Sequence, residues 1–218
     1  MKDNQTHCML SISNFQKKYP GNAEPVLRVN SFEIGKGIYW IKGENGSGKT
    51  TLLKSIAGMI PFEGSINVDG LDIHKNRKIY SSIVNYAEAE PRYPIFLTGK
   101  ELIDFYKASK GGEFPANLLK NLGVEKFKYQ KTGTYSSGML KKISLVLAFT
   151  GTPTLVMLDE PLIALDIAAV EVLHGAIRQY IDKGVSFIIT SHQPLNSTLL
   201  AGTTTLLLTE KTLQKEKP

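Results

Sequence analysis

The sequence predicts an α/β fold with a mostly parallel sheet, and three observations support this class. In the last third of the chain, short apolar runs typical of buried strands alternate with a helical pattern. The first third consists of strand-like segments separated by turns, which indicates an antiparallel β subdomain. Between two buried-strand signals lies a stretch of helical patterns, which indicates an inserted helical subdomain.

Four strands and one helix are predicted in the first third. The strands are Leu10–Phe15, Val26–Ile34, Ile38–Ile41 and Gly64–Gly70. Ile38–Ile41 is a short apolar run bounded by glycines, as expected for a buried strand. The helix should run from Lys49 to about Ile60 and end before Pro61.

The middle third changes to helical patterns. A strand is predicted at Ile83–Ala87, and the proline-bearing loop Glu90–Pro94 follows it. Thr98 and Glu101 have the spacing of a capping box, so a helix is expected to begin there. Further helices are predicted at Asn117–Leu122 and Ser136–Thr150. We therefore expect one domain over residues 1–218, with the helical subdomain inserted at about 90–152.

The last third alternates between strand and helix. The predicted strands are Leu155–Leu158, Val185–Thr190 and Thr203–Leu208. Ile167–Lys183 carries apolar residues near helical spacing and stops at Gly184, so it is predicted to be a helix. The tail from Glu210 is charged and is predicted to be irregular.

Composition excludes several classes of protein. The chain has 218 residues with 42% hydrophobic and 21% charged residues, which is typical of a globular protein. No apolar run approaches the roughly 18 residues needed to span a bilayer, and the polar N-terminus does not resemble a signal peptide. The single cysteine, Cys8, suits a reducing compartment. The net charge is +6, but the basic residues are scattered, so no nucleic-acid partner is expected.

The segment Gly43–Thr50 matches the phosphate-loop pattern G-x-x-x-x-G-K-[ST] at every fixed position. Glycines allow a tight turn in which successive N–H groups point at phosphates, and the following helix favours anions at its N-terminus. Lys49 can bridge the β- and γ-phosphates, and the Thr50 hydroxyl can bind Mg²⁺. The residues expected to bind the nucleotide are Gly43, Asn45, Gly46, Ser47, Gly48, Lys49, Thr50 and Thr51. The fold is therefore predicted to have a P-loop NTPase core.

An apolar strand, Leu155–Leu158, ends in the acidic pair Asp159 and Glu160. A carboxylate at the end of a core strand is well placed to hold Mg²⁺, and Asp159 fits this role. Glu160 is placed to polarise a water molecule for attack on the γ-phosphate. We expect Thr50 and Asp159 to form the metal site, with Glu160 and Lys49 as catalytic residues.

A third motif, Tyr135-Ser136-Ser137-Gly138-Met139, lies between these two and precedes a helix. It resembles the signature motif of the ATP-binding cassette (ABC) ATPases, usually written L-S-G-G-Q. Ser136 and Gly138 match this motif, whereas Ser137 and Met139 depart from it. The resemblance covers nearly the whole chain, and it implies that Ser136 and Gly138 complete the ATP site of the opposite subunit.

Other segments match the family in order and spacing. Ala164-Leu165-Asp166 resembles the D-loop of the family, which adds Asp166 to the expected nucleotide contacts. His192 follows a predicted strand where the family places a histidine that contacts the γ-phosphate, so the resemblance implies a catalytic role. Tyr19 lies where the family places an aromatic residue that stacks on adenine.

One family position is not matched. In the family a strand ends in a glutamine that senses Mg²⁺ and the attacking water, but Ala89 stands at that position here. Glu90, or less favourably Glu88, is a candidate substitute because a carboxylate also suits Mg²⁺.

The resemblance implies an ATP-binding and ATP-hydrolysing subunit that powers transport through separate transmembrane permease subunits. ATP and Mg²⁺ are the expected cofactors, and two cassettes are expected to form a homodimer or heterodimer on ATP binding. The expected location is cytoplasmic, peripheral on the inner face of the cell membrane. The compact size and the signature sequence favour export, while the sequence names no substrate.

Two alternatives stay open from the sequence. One is a soluble ABC ATPase that serves an assembly process, for example cluster assembly. The other is a weakly hydrolysing regulatory cassette, which Ala89 suggests.

Overall fold

The strands of the chain form two sheets in the computed structural model, which describes residues 8–191 and 202–216. The strands are β1 (Leu10–Lys17), β2 (Leu27–Ile34), β3 (Ile38–Lys42), β4 (Glu63–Val68), β5 (Leu71–Asp72), β6 (Val84–Ala87), β7 (Leu155–Asp159), β8 (Ser186–Thr190), β9 (Thr203–Thr209) and β10 (Thr212–Lys215). The helices are α1 (Lys49–Ile56), α2 (Arg77–Ile83), α3 (Gly99–Lys110), α4 (Ala116–Asn121), α5 (Ser137–Ala148) and α6 (Ile167–Asp182). Two short 3₁₀ turns lie at Val124–Lys126 and Thr132–Thr134.

The smaller sheet is antiparallel and has the strand order β2-β1-β4-β5. Its strands alternate between buried and exposed residues, and Leu27 and Val29 of β2 face the interior. This alternation is expected for a sheet with one face on a core and one face in solvent. The antiparallel β part of the predicted fold is therefore confirmed.

The larger sheet has six strands in the order β10-β9-β3-β8-β7-β6. The strands β9, β3, β8, β7 and β6 run parallel to one another, and β10 pairs antiparallel with β9. The mostly parallel sheet and the α/β class are confirmed. Because parallel strands end at the same edge of a sheet, the loops that follow β3, β6 and β7 meet there.

Apolar cores lie on both faces of the larger sheet. In β7, Leu155 and Met157 pack into the core shared with the small sheet, whereas Val156 and Leu158 pack into the core shared with the helices. All residues of β7 are buried, which explains the continuous apolar run in the sequence.

The helical stretch between β6 and β7 contains α3, α4 and α5. The capping box at the start of α3 is confirmed: the Glu101 N–H donates to Thr98 Oγ1, and the Thr98 N–H donates to the Glu101 carboxylate. The boundaries of this insert and the extent of the domain stay predictions. In the described part of the chain, no helix is both long and apolar enough to cross a membrane.

Three local differences from the predicted elements concern α1, α2 and the C-terminal tail. The helix α1 ends at Ile56 because Gly58 follows it in a left-handed conformation, with φ +71°. In this conformation the Gly58 N–H donates to Ser55 O. The helix α2 was not predicted. The prediction of an irregular tail from Glu210 is wrong, because Leu213 is buried in the core and β10 pairs with β9.

Candidate functional site

The loop Gly43–Thr50 joins β3 to α1, as the sequence predicted. Gly46 and Gly48 have φ values of +80° and +103°, a region that favours glycine. A side chain at Gly43 would place its Cβ only 2.6 Å from Ser47 Oγ. Left-handed residues in a tight turn before a helix are the arrangement in which backbone N–H groups converge on an anion. The loop is therefore suited to bind phosphate.

Lys49 is held inside this loop. Its side chain is largely buried, and Nζ donates to Gly43 O at 2.7 Å and to Glu44 O at 3.0 Å. These neutral carbonyl oxygens keep the ammonium at the mouth of the loop. A phosphate oxygen at the same place would make a stronger, charge-assisted bond.

The carboxylate of Asp159, at the end of β7, accepts three hydrogen bonds. Thr50 Oγ1 donates to Oδ2 at 2.7 Å, and the Tyr86 hydroxyl donates to the same oxygen at 3.0 Å. Thr190 Oγ1 donates to Oδ1 at 2.6 Å. Burial, and then the Asp159 charge, raise the pKa of Tyr86, so this hydroxyl stays protonated. The predicted pair Thr50 and Asp159 is thus in direct contact, with its oxygen atoms turned toward each other.

Glu160 follows β7 directly and has φ +45°, which is unusual for a residue other than glycine. Its N–H donates to Thr190 Oγ1 at 3.0 Å, which fixes its position beside Asp159. A cavity of about 240 Å³ is lined by Glu160 together with Lys49, Thr50 and Asp159. The structure brings these four predicted residues together.

Tyr19 lies next to Thr51, which lines this cavity together with Asn45, Gly46 and Gly48. The Tyr19 hydroxyl is 3.3 Å from Thr51 Oγ1, so the ring lies near the start of α1. The Lys17 ammonium lies 4.6 Å from the centre of the Tyr19 ring. Asn45 lines the same cavity as Lys49, and it also lines an adjoining cavity beside Ser47.

Ser136, Gly138 and Asp166 form a second group, at the N-termini of α5 and α6. Ser136 caps α5 by accepting from the Met139 N–H at 3.2 Å. A Cβ on Gly138 would lie 2.9 Å from Ala164 O, so this close approach requires glycine.

Asp166 caps α6 by accepting from the Ala169 N–H at 2.8 Å. Lys142 Nζ lies 2.8 Å from the same carboxylate, and its hydrogen bond is the main reason that the pKa of Asp166 is lowered. The predicted residue His192 lies outside the described residues.

The segment after β6 places Ala89 beside the phosphate site. A cavity of about 370 Å³ is lined by Ala89, Glu90 and Thr50, among others. The Glu88 carboxylate forms an ion pair with Lys54 of α1 at 2.8 Å. The carboxylate of Glu88 is therefore paired with α1. That Glu90 takes the place of the family's glutamine stays a prediction.

Three residues near the site were not predicted from the sequence: Tyr86, Thr190 and Lys141. Tyr86 and Thr190 lie at the carboxyl ends of the strands on either side of β7. Lys141 is 1% exposed, and burial lowers its pKa to about 8 although nearby carboxylates favour its charge. Tyr86 and Thr190 could be assigned to the site only from the strand order, which the sequence does not give.

The residues present fit a magnesium–nucleotide complex. The loop supplies a glycine-lined turn at a helix N-terminus, and Lys49 supplies a cation. The Thr50 hydroxyl and the Asp159 carboxylate are hard oxygen ligands of the kind that Mg²⁺ prefers. The fold and this site define a P-loop nucleoside triphosphatase.

The comparisons with known proteins narrow this class to a family. The family described as ABC transporter matches residues 27–163. The uncharacterized ABC transporter ATP-binding protein YybJ of Bacillus subtilis is 33% identical over 189 residues, which cover 84% of this chain and 85% of YybJ. The chain therefore belongs to the ABC transporter family, and it is an ATP-binding subunit of the ATPase type.

Other relatives agree with this assignment. YtrB of Bacillus subtilis, an ABC transporter ATP-binding protein, is 34% identical over 85% of this chain, but the match spans only 64% of YtrB. The cytochrome c biogenesis ATP-binding export protein CcmA of Escherichia coli is 30% identical over 76% of this chain and 81% of CcmA.

Solved structures share the fold. An ATP-binding subunit of an ABC transporter superposes with a TM-score of 0.84, at 23% identity, over 96% of this chain and 90% of the other. The dimeric bacterial ABC transporter cassette MJ0796 superposes with a TM-score of 0.80, at 20% identity, over 96% of this chain and 98% of the other. These similarities support the predicted cassette fold.

Proposed function

We propose that the chain binds ATP with Mg²⁺, hydrolyses it, and powers export through separate membrane-spanning partners. The observation that carries the proposal is the arrangement of Lys49, Thr50, Asp159 and Glu160 around one cavity at the phosphate loop. The assignment of individual residues to roles rests on this geometry together with the family membership.

Binding begins with an exchange of partners at Lys49. Its ammonium leaves the carbonyl oxygens of Gly43 and Glu44 and bonds to phosphate oxygens, which are charged acceptors. Thr50 and Asp159 would hold Mg²⁺, which supplies positive charge that offsets the negative charge of the phosphates. Tyr86 and Thr190 keep the Asp159 carboxylate in one orientation.

Hydrolysis then depends on Glu160. Its carboxylate polarises a water molecule, whose oxygen attacks the γ-phosphorus in line with the bridging oxygen. The bond from phosphorus to that bridging oxygen breaks, which leaves ADP and inorganic phosphate. Because its N–H is anchored to Thr190, Glu160 keeps its place beside Asp159 during this step.

A second cassette is proposed to complete the site. Ser136 caps the N-terminus of α5 and Gly138 lies in its first turn, and such a helix end favours an anion. Family resemblance implies that this end contacts the ATP held by the opposite subunit, and the neighbouring structure MJ0796 is a dimer. Closure of the pair would follow from contacts that ATP makes in the closed state alone.

Membrane partners are proposed to dock on the helical insert. Four apolar side chains on or beside it are more than 60% exposed: Ile95, Phe96, Phe105 and Tyr129. Exposed apolar patches on otherwise polar surfaces mark interaction sites. These side chains and the loop Glu88–Pro94 are proposed to contact a membrane subunit. Because that subunit lies in the membrane, this contact would hold the chain at the inner face of the membrane.

The docking proposal is tested by co-purification from membranes. We expect Phe96→Glu to reduce recovery of the chain with its membrane partners, because a charge replaces an apolar contact. Asn117→Glu adds the same charge at an exposed polar position of α4 and serves as the matched control. Unchanged recovery of both variants would contradict the proposed surface, whereas absence of the wild-type chain from the membrane fraction would favour a soluble assembly ATPase.

Export is supported by one group of relatives. The CcmA proteins of three bacteria are ATP-binding export proteins of cytochrome c biogenesis, and they match about three quarters of this chain. Reconstitution of the chain with its partner in vesicles would test the direction, since accumulation of substrate on the side of the ATP would contradict export.

The ATPase proposal is tested against a weakly hydrolysing regulatory cassette, which Ala89 favours. We expect steady-state hydrolysis by the wild type and a loss of at least about 100-fold in Glu160→Gln, as is usual when a general base is removed. Equal rates in the two proteins would support the regulatory alternative. In an active enzyme, Ala89→Gln should retain or increase the rate.

A further inference from the structure

Lys141 is a buried cation that connects two strands next to the phosphate site. It lies in the second turn of α5, five residues after Ser136, and only 1% of its surface is exposed. Its Nζ donates to Glu88 O at 2.9 Å and to Asp159 O at 3.2 Å. The first oxygen follows β6, and the second belongs to the last residue of β7.

Glu88 is therefore bonded to two helices. Its backbone oxygen bonds to Lys141 of α5, while its carboxylate pairs with Lys54 of α1. Ala89 follows directly and has a side chain too short to bond to the metal or to water. The position of this segment therefore depends on Lys54 and Lys141 rather than on the side chain at position 89.

A buried lysine of this kind is costly unless its charge is compensated. Its two carbonyl acceptors use part of its hydrogen-bonding capacity. The carboxylates of Asp159, Glu160 and Glu90 supply the attractive electrostatic field. Because the ammonium bonds to the backbone oxygen of Asp159, next to Glu160, it also offsets part of the repulsion between these acids and bound phosphates.

We propose that Lys141 is a positioning residue that joins the signature helix α5 to the carboxyl ends of β6 and β7. The inference rests on the proposed ATPase function. A movement of α5 is transmitted through Lys141 to Asp159 and to the segment Glu88–Pro91. Lys141 acts through the residues it holds and does not touch the nucleotide.

The test compares Lys141→Met with a matched control, Lys110→Met, in the full chain. Lys110 is a half-buried lysine whose pKa burial also lowers to about 8. Its Nζ likewise donates to two backbone oxygens, Ser81 O of α2 and Val84 O at the first residue of β6, away from the phosphate loop. Both changes remove a charge and two hydrogen bonds while keeping a long side chain.

We expect Lys141→Met to lower kcat for MgATP by about 10- to 100-fold, as is usual for residues that orient metal ligands. The KM for MgATP should be unchanged, since phosphate binding at Lys49 is retained. Lys110→Met should keep the wild-type kcat at a temperature where both variants are folded, and Lys141→Arg should recover part of the lost rate.

Two results would overturn the inference: a wild-type kcat in Lys141→Met, or an equal fall of kcat in Lys141→Met and Lys110→Met. If Lys141→Met does not fold, Lys141→Gln is measured in its place, and a wild-type kcat there has the same meaning. Glu160→Gln is measured in parallel. If Glu160→Gln is as active as the wild type, the proposed function fails, whereas an inactive Glu160→Gln with an active Lys141→Met rejects Lys141 alone.

Discussion

The carboxylate of Asp159 is fixed by hydroxyl groups from three separate segments of the chain. Thr50 belongs to α1, Tyr86 to β6 and Thr190 to β8. Thr50 and Asp159 could be predicted from motifs, because the chemistry of Mg²⁺ binding specifies an oxygen ligand at each place. Tyr86 and Thr190 could not, since they become neighbours of Asp159 only when β6 and β8 pair with β7.

Tyr86→Phe tests the importance of this orientation. Loss of the hydroxyl frees one lone pair of Asp159, so we expect the Mg²⁺ concentration for half-maximal ATPase activity to rise on the order of tenfold. Tyr80→Phe is the matched control, because it removes a buried hydroxyl that donates to Ile56 O away from the site. Both changes should cost about 1 kcal/mol of stability. An unchanged Mg²⁺ dependence in Tyr86→Phe would contradict the role of its hydroxyl.

His174 of α6 makes stability depend on pH. Burial lowers its pKa, and the nearby Glu171 only partly opposes this. The unfolded state therefore binds a proton more readily than the native state. The resulting stability is fully present above about pH 6.5, the usual pKa of histidine, and is lost as the pH falls through the lower folded pKa.

We expect urea denaturation to show a smaller loss of unfolding free energy between pH 7.5 and pH 5 in His174→Leu than in the wild type. The exposed His74 offers a control in His74→Gln. An equal pH dependence in the wild type and His174→Leu would show that the buried imidazole does not contribute.

At the scale of elements, the site is built from helix N-termini. The helix α1 follows the phosphate loop, while α5 and α6 begin at Ser136 and Asp166, whose side chains cap them. The helix α1 was predicted as the helix that follows the phosphate loop, and α6 from the helical spacing of its apolar residues up to Gly184. The helix α2 was missed because its N-cap Asn76 makes no side-chain hydrogen bond and the helix has seven residues. Its position depends on packing against neighbouring elements, which local sequence does not record.

The capping box of α3 gives a prediction at this scale. Thr98→Ala removes the acceptor of the Glu101 N–H, so we expect a loss of about 1 kcal/mol in the free energy of unfolding. Thr134→Ala is a suitable control, because its hydroxyl bonds only to Lys131 O within an exposed turn. Urea denaturation measures both, and equal stabilities would mean that the box contributes nothing to the insert.

At the scale of the whole molecule, the expected nucleotide contacts fall into two groups. One surrounds the phosphate loop, and the other lies at the starts of α5 and α6, where the contacts of Gly138 are with Ala164. The order of motifs along the chain predicted both groups, and the alternation of strands and helices predicted the α/β class. The pairing within the small sheet, such as that of β1 with β4, and the two cores on either side of the larger sheet depend on long-range contacts and became visible only in the structure.

The two groups of expected nucleotide contacts are each half of a proposed ATP site. We therefore expect two chains to associate around ATP. In saturating MgATP, Glu160→Gln should elute from a sizing column as a dimer, because ATP stays bound between the phosphate loop of one chain and Ser136 of the other. With ADP it should elute as a monomer, and Ser136→Arg added to Glu160→Gln should abolish pairing. A monomer in MgATP would contradict self-association and leave a different cassette as the partner.

We propose that the cavity at Lys49, Thr50, Asp159 and Glu160 binds ATP and hydrolyses it. Identification of the nucleotide that stays on the purified chain after incubation with MgATP tests this claim most directly. We predict ADP on the wild type, ATP on Glu160→Gln, and little nucleotide on Lys49→Ala. Intact ATP on the wild type, or ADP on Glu160→Gln, would contradict the account.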